Sequence, residues 1–180
     1  MKSADVIQRI KSEGRPLVEE MIAELCANLG TSHYRRWTEE DLFSRVHTVY
    51  QHLAAWLAGQ DTAALRQFGE KLGRDRFSEG IPLGQVVLAL VLTEKQLVDY
   101  LSRSGGILEE EAQRASSEFF QIIIYATARG YEVALAESNR LARGVPVAQP
   151  TAKEPVESKE AKKNQESEIS RGGQVGEFGG

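Results

Sequence analysis

Residues 68–101 read FGEKLGRDRFSEGIPLGQVVLALVLTEKQLVDYL, and within this stretch one helical pattern closes on Gly80 while another opens at Pro82. Gly80 supplies the left-handed residue that ends a helix, Pro82 carries the fixed φ suited to the first turn of the next, and Ile81 joins them. Upstream, Leu65, Phe68, Leu72 and Phe77 form an apolar stripe at helical spacing. Downstream, Leu83, Val86, Val87, Leu88, Leu90, Val91 and Leu92 leave almost no polar face, so this helix is either central in a bundle or turned toward a partner chain. Gly80 and Pro82 thus mark a helix-turn-helix corner, a packing device and not an active site.

The same periodicity extends to both sides of the corner. Val6, Ile7 and Ile10, then Leu17, Val18, Met21, Ile22, Leu25 and Leu29 recur at helical spacing, with Pro16 opening a second segment or kinking the first and Gly30 as the stop. Thr38 is a good N-cap, and Glu39, Glu40 and Asp41 lie in the first turn, where the helix dipole favours negative charge. That helix is expected to run to about Ala58, with Leu42, Phe43, Val46, Val49, Tyr50, Leu53 and Leu57 facing inward and Trp37 and Trp56 anchoring its ends. Gly59 is expected to end it and Asp61 to cap the next. After Gly105 and Gly106 a pattern from residue 108 to residue 143 reads as one long helix that tolerates Gly130. No alternating strand pattern competes. The sequence therefore predicts an all-α fold, a five- or six-helix bundle with a long C-terminal helix.

Composition bounds the rest. The chain has 180 residues with 41% hydrophobic content, which suits one domain with a real core. We place that domain at residues 1–143. Residues 144–180 are rich in Pro, Lys, Glu, Ser and Gly and lack the apolar surface needed to offset ordering entropy, so they read as a disordered tail. The formal net charge of -4 argues against nucleic acid as a partner, which calls for a basic surface. The longest apolar run, residues 86–92, falls far short of the roughly 20 residues that span a bilayer, and the N-terminus carries no signal-peptide core. No membrane span and a cytoplasmic location are the expectations. Cys26, the single cysteine, has no partner for an intrachain disulfide and reads as a buried structural thiol.

Catalytic constellations are not evident. The three histidines, His33, His47 and His52, include no H-E-x-x-H, and a five-residue separation splays His47 and His52 by about 140° on a helix, poor for joint metal ligation. Ser102 and Ser104 have no triad partners placed by sequence, and Glu109, Glu110 and Glu111 suit the first turn of the last helix better than acid–base work. No catalytic residue, no metal ligand and no cofactor-binding residue is therefore assigned, and the chain is read as no enzyme. Arg76 is the most informative charge, one turn before Gly80, with Asp41 or Glu94 as its expected partner.

With Trp37 and the region of Asp41 and Arg45, the F-x3-L-x3-R-x3-G-I-P-L pattern of Phe68, Leu72, Arg76, Gly80, Ile81, Pro82 and Leu83 resembles the N-terminal domains of RsbR-type co-antagonist proteins (the RsbRD N-terminal family). These are all-helical input modules of bacterial stress signalling, and similar helical segments occur in some bacterial histidine kinases and PucR-like regulators. The resemblance covers residues 5–143. It implies a non-enzymatic signal-transduction module, globin-like in packing but without haem, that dimerises and biases a regulatory STAS or kinase-type protein. Haem ligation in the globin manner uses a late histidine, and none follows His52, so no cofactor is expected. Since residues 144–180 read as a tail and not as an output domain, such a partner would be met in trans, unless the chain is a shortened relative or an excised piece.

A homodimer is the expected assembly. The apolar segment 86–92 and a last helix about 54 Å long at 1.5 Å per residue both gain from a second chain, through an interaction face assigned to Val87, Val91, Phe119 and Ile123. The competing reading is a small-molecule sensor with a ligand in an apolar core or dimer cleft, lined for example by Phe68, Leu90 or Phe120. The tail itself is testable: truncation after Arg143 should leave the melting temperature nearly unchanged, and a drop of several degrees would show that residues 144–180 dock on the bundle.

Overall fold

A computed structural model describes residues 1–103 and 108–143. The expectations for the tail and for the Gly105–Gly106 turn fall outside the described residues. The described chain is an all-α helical bundle: α1 (Ser3–Ser12), α2 (Gly14–Ala27), a 3-10 helix (Leu29–Arg36), α3 (Glu39–Gly59), α4 (Thr62–Ser78), α5 (Leu83–Arg103) and α6 (Glu110–Ala142). No strand occurs among the described residues.

The punctuation works by the expected physics. Thr38 accepts a hydrogen bond from the Asp41 amide at 3.1 Å, and Asp61 accepts from the Ala64 amide at 3.0 Å, so each cap satisfies an amide that has no intrahelical partner. At the corner, Gly80 has φ +70°; the Ile81 amide donates to the Arg76 carbonyl at 3.1 Å and the Gly80 amide to that of Phe77 at 3.0 Å. This pair of bonds is a Schellman closure, and Ile81, fully buried, is its hydrophobic plug. The Pro82 carbonyl then accepts from the Val86 amide at 3.2 Å, starting α5.

Pro16 and Gly59 fall where the sequence reading allowed, with Gln60 as a refinement, whereas Gly30 and Cys26 differ from it. Pro16 lies in the first turn of α2, where its missing amide costs nothing, and α1 stops before it. Gly30 does not stop α2, which ends at Ala27; it belongs to a 3-10 segment held by Thr31, whose buried hydroxyl donates to the Leu25 carbonyl at 2.8 Å. Gly59 is the last residue of α3, and Gln60, at φ +50°, takes the left-handed position after it. Cys26 is only partly buried.

The greatest difference lies on α4. Its fully covered face is Leu65, Gly69, Gly73 and Arg76, while Phe68, Leu72 and Phe77 flank it half-buried. Opposite stand Ala126, Thr127 and Gly130 of α6. A Cβ on Gly73 would lie 2.0 Å from the Thr127 carbonyl oxygen, one on Gly130 2.0 Å from the Glu70 carbonyl oxygen, and one on Gly69 2.6 Å from the Ala126 Cβ. At Gly73 and Gly130 the two backbones therefore touch with no side chain between them, and at Gly69 only the Ala126 methyl intervenes. They run in the same direction: Gly69 faces Ala126, Gly73 faces Thr127 and Tyr131, Phe77 meets Tyr131 edge-on at 5.3 Å, and Arg74 pairs with Glu137 at 3.8 Å. α5 returns between them in sequence, and its Glu94 accepts from Ser117 of α6 at 2.8 Å.

α3 ties the core together. Its Trp56 indole donates to the Ala115 carbonyl of α6 at 3.0 Å, and its Tyr50 hydroxyl to the Thr93 carbonyl of α5 at 3.3 Å, both buried. α5 is the central helix that its apolar composition allowed, with Val86, Ala89, Leu90, Leu92 and Leu97 buried and Val91 44% exposed.

A helical Gly costs about 1 kcal/mol relative to Ala, so Gly69, Gly73 and Gly130 are retained against propensity. Gly130→Ala should therefore destabilise by about 1–3 kcal/mol in spite of its better propensity, because the methyl must push two backbones apart. Gly84→Ala, where an added Cβ meets nothing within 4 Å, should be neutral or slightly stabilising. Thermal unfolding of the two variants checks the contrast, and equal melting temperatures would remove the close-contact account.

Candidate functional site

The Gly80 corner carries a polar cluster that joins α3, α4 and the 3-10 segment. Arg76, in the last turn of α4, and Glu79, at its C-cap, are brought beside Arg45 of α3 and the end of the 3-10 helix, which supplies Tyr34, with Trp37 just beyond. Glu79 bridges both guanidiniums: its Oε1 accepts from Arg45 at 2.8 Å and its Oε2 from Arg76 at 2.8 Å. The Arg45 guanidinium lies 3.8 Å from the Trp37 ring centroid, and that of Arg76 5.5 Å from it. Tyr34 meets Trp37 edge-on at 5.4 Å. The Arg76 side chain is 9% exposed and that of Arg45 29%.

Neither expected partner of Arg76 takes that role. Asp41 accepts instead from the Thr38 hydroxyl at 2.8 Å, inside the cap of α3, and Glu94 accepts from Ser117. Glu79 stands three residues after Arg76, a spacing that brings side chains together on one helix face, so the pairing was legible in DRFSEG. Tyr34 was not, because the 3-10 segment that carries it has no helical periodicity to read.

Beside this cluster is a cavity of about 40 Å³, lined by Arg45 and Arg76 together with Tyr34, Val49, Leu90 and Thr93, among others. Of the residues named as possible ligand contacts, Leu90 lines it; Phe120 is fully buried core, and Phe68 stacks on His52 at 3.5 Å. The assigned interaction residues do not form one surface. Val91 is exposed and Val87 half-buried on α5, whereas Phe119 and Ile123 are fully buried within the chain and offer no surface to a second copy.

The exposed apolar residues on the last helix lie elsewhere. After Gly130 no residue of α6 is buried, and Leu135 is 43% and Leu141 66% exposed. At 100° per residue, Ala134 and Leu141 continue the face of Ile123 and Gly130 that is buried further up the helix.

Among the described residues no group of three or more His, Cys, Asp or Glu side chains converges as a metal site, and no helix is long and apolar enough to cross a membrane. The chain matches no family model, no curated protein and no solved structure.

Burial of Tyr34 pushes its hydroxyl up to about 12, with Glu79 adding to the rise and the Arg76 and Arg45 guanidiniums opposing it. Tyr50 is raised too, chiefly by burial. A folded pKa above the unfolded value of about 10 means that the stability held by neutral Tyr34 is complete below pH 10 and lost as pH rises toward 12. Tyr34→Phe should therefore reduce the slope of unfolding free energy against pH in that window, by up to about 1.4 kcal/mol per pH unit, leaving a residual slope from Tyr50. Urea unfolding at a series of alkaline pH values measures it, and an unchanged slope would mean that Tyr34 ionises as if exposed.

Proposed function

We propose that the chain is a non-enzymatic, cytoplasmic interaction module of the RsbR N-terminal kind, with globin-like packing, working by protein–protein contact in bacterial stress signalling and self-associating through α6. The partner in trans would be a regulatory protein of STAS or kinase type. The observation that carries the reading is the end of α6. The stripe buried from Ala112 to Gly130 continues through half-buried Ala134 to exposed Leu141, where the other described helices cover it only in part. A second α6 packed along that stripe would remove Leu141 from water, in a two-fold contact where each copy supplies the same patch.

This reading moves the interface away from the buried Phe119 and Ile123, and the two regions respond differently to charge. Leu141→Glu should convert a dimer to a monomer in sedimentation at micromolar concentration while helicity stays intact. Ile123→Glu should instead unfold the chain, since it places a carboxylate in a fully buried site. A monomeric wild-type protein, or a dimer indifferent to Leu141→Glu, would remove α6 as the self-association element.

A further inference from the structure

The cluster at the Gly80 corner has a charge imbalance that the fold leaves in place. Two guanidiniums meet one carboxylate, and Glu79 spends one oxygen on each. Each guanidinium has five N–H donors, and among the described residues no other carboxylate is paired with Arg45 or Arg76. Arg76 is mostly withdrawn from water, which strengthens its attraction for a further anion.

The adjoining cavity restricts what that anion can be. At about 40 Å³, against the roughly 10–15 Å³ that one water needs on the same measure, it has room for about three water-sized atoms, which suits a short body of a few non-hydrogen atoms and no ring system or long chain. Apart from the two arginines its wall is mainly aliphatic, with Leu25, Val46, Val49, Val86 and Leu90. Its other polar wall residues are already committed: the Thr93 hydroxyl donates to the Ala89 carbonyl at 2.7 Å, the Thr93 carbonyl accepts from Tyr50, and the Tyr34 hydroxyl accepts from the Arg76 guanidinium. A polar body would therefore lose hydration with little return, whereas a short apolar one would not.

We propose that this cavity binds a small monocarboxylate with a short aliphatic body, of the size of acetate or propionate, its carboxylate held by Arg45 and Arg76 and its carbons in the aliphatic recess. The site lies within one chain and does not depend on self-association. Glu79 acts as a spacer that fixes the two guanidiniums side by side, and Trp37, against which Arg45 lies, reports on occupancy.

The test is titration of the full chain with propionate at constant ionic strength, followed by the Trp37 indole resonance and by thermal shift. Propionate should saturate, raise the melting temperature and shift Trp37. Propionamide, of the same shape without the charge, and inorganic phosphate, with charge and no apolar body, should each bind at least about tenfold more weakly. Arg45→Gln, at a partly exposed position and checked for folding by circular dichroism, should weaken propionate by a similar factor. Ala89→Leu, which fills the recess and leaves the charges in place, should abolish binding. Propionamide or phosphate binding as well as propionate, full affinity in folded Arg45→Gln or Ala89→Leu, or no saturable response to propionate would each overturn the proposal.

Discussion

Backbone-to-backbone contact between α4 and α6 is the constraint around which the rest of the bundle is arranged. Contact at this range needs glycine on both helices, because any side chain at Gly73 or Gly130 would occupy the same space as a carbonyl oxygen of the opposite helix. The glycines give up helix propensity, and the return is close dispersion contact along the shared length. Since the two helices run in the same direction, the chain has to travel back between them. α5 does this, which is why the tight reversal at Gly80 and the apolar, central character of α5 belong together.

The contact also sets the surroundings of the last turns of α6. α4 stops at Ser78, while α6 continues to Ala142. Past Gly130 the last helix has only partial cover, from Phe77 against Tyr131 and from the exposed Arg74–Glu137 pair. Exposed ion pairs add little, typically under about 1 kcal/mol. The apolar periodicity of these turns is not accounted for by the packing of the described helices, and it is this feature that supports the proposed self-association.

At the other side of the same reversal, the closure of α4 builds the polar cluster. Arg76 in the last turn is favoured by the helix dipole, the Schellman geometry puts Glu79 at the C-cap, and both then face α3. Burying Arg76 is tolerable because it has Glu79 within 2.8 Å and the face of Trp37 nearby. Removal of Glu79 would leave a desolvated, unpaired cation, which costs far more than the pair contributes. Structural closure and an anion-seeking surface thus arise from the same few residues.

Sequence alone determined the helical class, the caps at Thr38 and Asp61, the Gly80–Pro82 corner and the unbroken last helix, because each of these is set by local spacing and by the conformational preferences of single residues. The 3-10 segment escaped it, as eight residues without periodicity give no pattern to read. Tertiary structure alone decided that α4 turns its glycines inward in place of its aromatic stripe. A hydrophobicity pattern records where side chains want to be buried, and it is blind to a contact made by having none. For the same reason Phe119 and Ile123, read as surface for a partner, are core: an apolar face is equally suited to its own chain or another, and only the position of α3 and α4 against α6 assigns it.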